Sequence, residues 1–395
     1  MSPPFLPGNR VTLLESGTEY FPALIQAINA AREAIFLESY IFANDDVGHR
    51  VAQALVAAAK RGVRVHVTVD GYGARNFPAD FGHELEAAGV RTLIYRPEIS
   101  PFRLRRHRLR RLHRKLVLID GRLGFVGGIN IKGDDTPATD NPHLDYAVMV
   151  EGPVTQLLGI AVRRLWEIVS WANFKRRFRL PDLPPPETTI PAGKQAAAFL
   201  IRDNIRHRND ILHAYLHAIE NARHEIILAN AYFLPGLRFG RALFAAARRG
   251  VHITILLQGV TDHRLLHYAT QTLYGSAVRQ GIRIFEYHKS FLHAKVAVID
   301  REWATVGSSN IDPFSLLLAK EANLVVNDPE FCENLHRSLN RAINDGATEI
   351  IPEHLEKLPW YHSLLRWISY GFVRGLVGIA GYGRQHWPNE FERER

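Results

Sequence analysis

Cysteine is almost missing from this sequence. Cys332 is the only one in 395 residues, so no intramolecular disulfide can form, and a reducing, cytoplasmic setting fits. Long apolar runs are missing too: no stretch of eighteen uncharged apolar residues occurs, and no segment reads as a membrane-spanning helix. The opening residues, MSPPFLPGNRVTLLESG, have no basic region followed by an apolar core and do not read as a secretory signal. Acidic residues fall short of basic ones, 40 against 49. The resulting formal charge of +9 favours an anionic partner: a phospholipid surface, nucleic acid or a phosphorylated substrate. The remaining composition, 46% hydrophobic and 23% charged, is ordinary for a globular chain, and the length suits two or three domains.

What is present is a duplicated motif. The pattern His-x-Lys-x-x-x-x-Asp occurs as His113, Lys115 and Asp120 in LHRKLVLIDG, and again as His293, Lys295 and Asp300 in LHAKVAVID, with 180 positions between the histidines. Each copy runs into an alternating apolar stretch that predicts a β-strand. Residues two apart on a strand face the same side, so each imidazole and its lysine are expected to enter one cavity together. Asn130 and Asn310 each follow their histidine by 17 residues, and an acidic residue comes next in both halves, Asp145 and Glu321. Upstream, AREAIFLESYIF (31–42) matches ARHEIILANAYF (222–233), and AAAKRGVRVHVTVDG (57–71) matches FAAARRGVHITILLQG (244–259). One His-x-Lys is usually an accident of sequence; two with matched asparagine spacing in a duplicated chain point to a site. The period is far too long for a solenoid repeat, so two similar α/β domains sharing an interface are expected.

Strands alternate with helices in both halves, which predicts a largely parallel sheet covered on both faces. LPDLPPPETTIPAG, with five prolines, reads as a linker. The expected organisation is a first domain over 1–180, a linker over 181–193, a second domain over 194–345 and a tail over 346–395. Gly62 to His113 spans 51 residues and the matching Gly250 to His293 spans 43, so the first half carries eight extra residues between these landmarks. That interval holds six arginines, Arg103, Arg105, Arg106, Arg108, Arg110 and Arg111. Such a run is either a solvated segment or an attraction for anionic headgroups, worth roughly 1 kcal/mol per arginine near a membrane; nucleic acid would be attracted equally well.

Two imidazoles and two ammonium groups suffice for double displacement at one phosphate. One histidine attacks phosphorus and forms a covalent phospho-histidine. The other protonates the leaving oxygen and then deprotonates the incoming alcohol or water. Lys115 and Lys295 neutralise the non-bridging oxygens, with Asn130 and Asn310 as further donors. Since the lysines supply the positive charge, neither a metal nor another cofactor is expected. His207, His213 and His217 show helical spacing but no second ligand cluster. Asp120 and Asp300, at the strand ends, read as structural or electrostatic supports.

The duplicated motif followed by Gly-Gly/Ser-x-Asn resembles the phospholipase D superfamily, and the resemblance covers essentially the whole chain. Within it, the opening GNRVTLLESGTEYFPALIQAI, the Arg-rich segment and the Trp- and Gly-rich tail look like the short bacterial cardiolipin synthases that lack N-terminal membrane helices. The resemblance implies two α/β/α sandwich domains about a pseudo-two-fold axis, with Asp145 and Glu321 each orienting a catalytic imidazole. It also implies His113 as nucleophile and His293 as acid/base. The implied reaction is phosphatidyl transfer between two phosphatidylglycerols on the cytoplasmic face of a bacterial inner membrane, with no obligatory nucleic acid. A hydrolytic phospholipase D and a phosphodiesterase nuclease share the motif and remain alternatives. Trp360 and Trp367 in the tail are expected to anchor at the lipid interface, against the plainer reading of a helix packed on the body.

Overall fold

The computed structural model describes residues 4–97, 110–134, 142–173, 190–203, 206–260, 264–312, 315, 318–351 and 371. Arg103, Arg105, Arg106, Arg108, Trp360 and Trp367, and most of the Pro-rich linker, lie outside the described residues.

The first repeat runs β1 (Leu6–Glu15), α1 (Ser16–Ala30), β2 (Ala34–Ser39), α2 (Asp46–Lys60), β3 (Arg64–Asp70), α3 (His83–Ala87), β4 (Arg91–Tyr95), β5 (Lys115–Ile119), β6 (Leu123–Gly127), β7 (Tyr146–Glu151) and α4 (Thr155–Ala172). The second follows with β8 (Gln195–Arg202), α5 (Asp210–Asn221), β9 (Glu225–Asn230), α6 (Leu237–Arg248), β10 (His252–Gln258), α7 (Arg264–Gln271), α8 (Tyr274–Arg279), β11 (Arg283–Tyr287), β12 (Lys295–Ile299), β13 (Trp303–Gly307), β14 (Glu321–Asn327), α9 (Pro329–Gly346) and β15 (Ala347–Glu349). Local chemistry explains the helix ends. Asp45 caps α2 by accepting from the Gly48 amide at 2.8 Å. Gly62 and Gly250 end α2 and α6 at φ +92° and +90°, a conformation that favours glycine at both equivalent positions.

Strand order is the same in each repeat: β4-β3-β2-β5-β6-β7-β1 and β11-β10-β9-β12-β13-β14-β8, with β15 added at the outer edge. β1 pairs with β8, so the described strands form one continuous sheet of 15. Helices α1 and α2 cover the first repeat and α5 and α6 the second. A third cluster draws on both repeats, joining Leu116, Val126 and Val148 to Leu292, Val296 and Leu324.

The expected largely parallel sheet needs correction. Only β2-β3-β4 and β9-β10-β11 are parallel. Those strands are joined through helices, long enough for a crossover. Residues 120–122 and 300–302 are the whole connections from β5 to β6 and from β12 to β13, and links so short permit only antiparallel hairpins. The eight-residue excess of the first repeat is a net figure. Tyr95 to His113 spans 18 positions against 6 from Tyr287 to His293, while Asp70 to Arg91 spans 21 against 25 from Gln258 to Arg283.

Candidate active site

The strands of the two motifs begin at the lysines, and each histidine lies just ahead of its strand. There the backbone leaves its own sheet and pairs with the other repeat. The His113 amide donates to the Lys320 carbonyl at 3.0 Å, and the Lys320 amide to the Arg111 carbonyl at 2.7 Å. Symmetrically, the His293 amide donates to the Leu144 carbonyl at 2.8 Å, and the Leu144 amide to the Phe291 carbonyl at 2.9 Å. Lys320 and Leu144 immediately precede Glu321 and Asp145. The two bridges therefore bring each imidazole to the carboxylate of the opposite repeat. His113 Nδ1 lies 3.0 Å from Glu321 Oε1, and His293 Nδ1 lies 2.7 Å from Asp145 Oδ2.

With Nδ1 turned to a carboxylate, Nε2 is the ring nitrogen left to face substrate. Burial, helped by the Lys295 cation, lowers the pKa of His293 to about 3 against the opposing pull of Asp145. Burial raises Asp145, but Lys295, His293 and the Tyr146 amide outweigh it and hold the carboxyl below its ordinary value. The site thus holds a neutral His293 imidazole, an aspartate and a lysine, with Lys295 Nζ 3.9 Å from Asp145 Oδ2.

Both ammonium groups bend back to their own histidine. Lys115 Nζ donates to the His113 carbonyl at 2.7 Å and Lys295 Nζ to the His293 carbonyl. Both lysines are buried. Burial brings Lys115 down to about 7, where Glu321 resists the shift and Lys295 adds to it.

The two carboxylates are packed differently. The Ser308 hydroxyl donates to Glu321 Oε2 at 2.5 Å. Its counterpart is Gly128, where a Cβ would lie 2.2 Å from Asp145 Oδ1, so glycine is required beside this carboxylate. Asn130 accepts from the Ile41 amide through Oδ1 at 3.2 Å, whereas Asn310 Oδ1 is buried with no partner among the described residues. Asp120 and Asp300 stand at the far ends of their strands. Each accepts three backbone amides, Asp120 from Arg32, Glu33 and Ala34, and Asp300 from Arg223, His224 and Glu225. Their φ values of 52° and 51° make them the left-handed corners of the two hairpins. They do not reach the histidines' end of the sheet.

Two further residues were missed from the sequence. Asn230 pairs directly with Lys295 across β9 and β12, so both side chains share a face. Its Oδ1 takes the Ile311 amide at 3.0 Å, and its Nδ2 is buried without a partner among the described residues. An unspent buried donor costs about 1–3 kcal/mol, which a bound phosphate oxygen would offset. Tyr40 lays its ring 4.9 Å from the His113 ring and 5.5 Å from Lys115 Nζ. The signal lay in the matched segments LESYIF and LANAYF, where Ser39-Tyr40 stands opposite Asn230-Ala231.

The mouths of the two halves also differ. Arg111 stacks on exposed Tyr72 at 5.1 Å and lies 3.8 Å from Asp70. At the matching positions Phe291 lies 6.2 Å from the His293 ring, and Gln258 replaces Asp70, accepting the Leu292 amide at 2.6 Å where Asp70 accepts that of Leu112 at 2.8 Å.

Comparison with known proteins agrees with the two-repeat organisation. The family described as cardiolipin synthase, PLD-like domain, matches residues 24–163 and 215–343, one segment in each repeat. Cardiolipin synthase B of Escherichia coli (strain K12) is 38% identical over 391 residues, covering 96% of this chain and 92% of that protein. Cardiolipin synthase A of Pseudomonas putida (strain W619) is 32% identical, covering 90% of this chain and 72% of its own length. Among solved structures, the phosphatidylserine synthase of Haemophilus influenzae superposes with a TM-score of 0.70 over 96% of this chain and 97% of its own, at 12% identity, a likeness of fold.

Proposed function

Because this chain belongs to the cardiolipin synthase family with phospholipase D-like domains, we propose that it transfers a phosphatidyl group from one phosphatidylglycerol to another, giving cardiolipin and glycerol. The observation that carries this reading is the crossed pairing of His113 with Glu321 and of His293 with Asp145. It supports one site with two imidazoles, which an attack and a proton transfer at the same phosphate require.

In the proposed sequence His113 Nε2 attacks phosphorus and the bond to the glycerol oxygen breaks. The phosphodiester anion, seated between Lys115 and Lys295, adds a negative charge that favours protonation of His293, which burial and the lysine field otherwise hold neutral. His293 then takes up a proton and gives it to the departing glycerol. Neutral once more, it removes the proton from a terminal hydroxyl of the second phosphatidylglycerol, whose oxygen displaces His113. The proton left on His293 is released with the product. The lysines, with the Asn130 and Asn310 amides and that of Asn230, stabilise the charge on the non-bridging oxygens. Asp120 and Asp300 are assigned to the scaffold.

Among the described residues no helix is long and apolar enough to cross a membrane. The surplus of basic charge and the lone cysteine support a peripheral enzyme on the cytoplasmic face of the inner membrane. The test is incubation of the purified protein with labelled phosphatidylglycerol. Cardiolipin and glycerol in equal amounts are expected, and both are lost in His113→Ala and His293→Ala. Phosphatidic acid as the main product would make the protein a hydrolase. Cleavage of DNA alone would overturn the lipid reading.

A further inference from the structure

Three of the six large hydrophobic side chains that the described residues leave exposed lie on α4: Ile160, Ile168 and Trp171, the last 72% exposed. The helix rises along the first repeat. At its start Thr155 Oγ1 donates at 3.0 Å to Gly121, in the turn at the far end of β5. At its end Asn173 Nδ2 donates at 2.9 Å to the carbonyl of Ile94, the penultimate residue of β4. β4 is parallel to β3 and β3 to β2. The C-terminal ends of those strands lead into Tyr40, packed on His113, and Tyr72, stacked on Arg111. Trp171 therefore stands at the same end of the molecule as the active-site mouth.

This apolar stripe is not how the helix packs. Leu165, Trp166 and Val169 already fill the buried side, against Leu93, Tyr95 and Leu112. Nor does the fold require it. Helix α9, which follows β14 as α4 follows β7, exposes Asn334, Arg337, Arg341, Asn344 and Asp345. On α4, Arg164, Ile168 and Trp171 are spaced by four and three residues and form one stripe, with Glu167 the sole acid among the exposed residues of the helix. The sequence then continues Phe174-Lys175-Arg176-Arg177-Phe178-Arg179. Exposed Trp and Ile flanked by cations match a surface that is apolar inside and anionic at its face.

We infer that the stripe of Arg164, Ile168 and Trp171 docks on an anionic lipid bilayer, setting the active-site mouth toward the headgroup plane. This rests on the lipid-directed reading of the active site, and its test is kept separate from turnover. The full chain is sedimented with vesicles of phosphatidylglycerol and, as a control, of phosphatidylcholine. Cardiolipin formation is measured in parallel on detergent-dispersed phosphatidylglycerol. For Ile168→Ser/Trp171→Ser, binding to phosphatidylglycerol vesicles is expected to fall about tenfold or more, as loss of buried apolar area demands, while dispersed-substrate activity stays close to wild type. Trp171→Phe is expected to keep most of the binding. Unchanged vesicle binding by the double variant overturns the inference. If the melting temperature falls as well, residues of the chain itself cover the stripe; if a wild-type dimer becomes monomeric, a second copy does. Wild-type protein that binds vesicles through the stripe but makes no cardiolipin would uphold the docking surface and overturn the proposed reaction.

Discussion

Glu321, in the second repeat, holds His113 of the first at 3.0 Å, and the relation is reciprocated at 2.7 Å by Asp145 and His293. Neither imidazole takes its carboxylate partner from its own repeat. A carboxylate on Nδ1 fixes the tautomer that presents Nε2 and stabilises the charged ring. Glu321→Gln and Asp145→Asn keep the size and lose that function. Each is expected to lower kcat by about 100- to 10,000-fold, with KM for dispersed phosphatidylglycerol little changed. Steady-state kinetics separates the two, and a kcat close to wild type in either variant would show that the opposite repeat only packs against the ring.

Lys115 is expected to set the alkaline limit of activity. Burial lowers its pKa to about 7, so in the free enzyme its cation is present below that pH and lost above it. The alkaline limb of kcat/KM is expected to have its midpoint near this value. A bound phosphate anion favours the charged lysine, so the limb of kcat should lie at higher pH. Lys115→Arg keeps a cation at every accessible pH and should remove the limb even where the maximal rate drops. A midpoint unmoved by that substitution would assign the limb to another group.

The grouping of the candidate site was legible in the sequence because it is written in spacing, and the duplication carried the spacing twice. His113, Lys115, His293 and Lys295 come together where the alternating pattern puts them. The crossing was not legible. Spacing places Asp145 after His113 and Glu321 after His293, and only the bridges at Leu112–Lys320 and Leu144–Leu292 exchange the partners. Sheet direction was misread because alternating helices and strands suggest crossovers, while the two three-residue hairpins reverse the chain. Asn230, at the end of β9, and Tyr40, just past the end of β2, escaped notice because a single amide or phenol has no periodic signature. They stand out only through their spatial neighbours, Lys295 for the one and His113 and Lys115 for the other.

Asp120 and Asp300 share the motif with the histidines and are expected to behave unlike them. Burial raises Asp300, but the amides of Glu225, Arg223 and His224 outweigh it and hold its carboxyl below the ordinary value. A depressed carboxylate contributes stability that is present above its unfolded pKa, about 3.9, and is lost as pH falls through the folded value. Asp120→Asn and Asp300→Asn should each cost about 1–2 kcal/mol of stability near neutral pH, with kcat per folded molecule nearly unchanged, and the Asp300→Asn loss should shrink in acid. Thermal melts at pH 7 and pH 4 beside kinetics provide the check. A large loss of kcat without a loss of stability would place these residues in the catalytic set instead.

Arg114 lies between His113 and Lys115 and faces the opposite side of the strand, where it meets Glu38 in the interior. Arg114 Nε donates to Glu38 Oε2, and its terminal nitrogen lies 2.8 Å from Glu38 Oε1 and 3.1 Å from the Ala161 carbonyl. Both side chains are buried. Burial pushes the Glu38 carboxyl up while Arg114 and Lys320 pull it down. The second repeat has alanine at both matching positions, Ala229 and Ala294, each fully buried. The fold therefore accepts either a complete ion pair or none. Removing one partner leaves a buried charge unmatched, which costs about 3–5 kcal/mol. Glu38→Ala and Arg114→Ala are each expected to destabilise by that order. The double variant should lose clearly less than the sum of the two, because it recreates the apolar arrangement of the second repeat apart from the volume removed. Urea titrations of the four proteins form the cycle. Additive losses would mean that the two charges are solvated separately, and that Arg114 does not anchor the strand carrying His113 and Lys115 through Glu38.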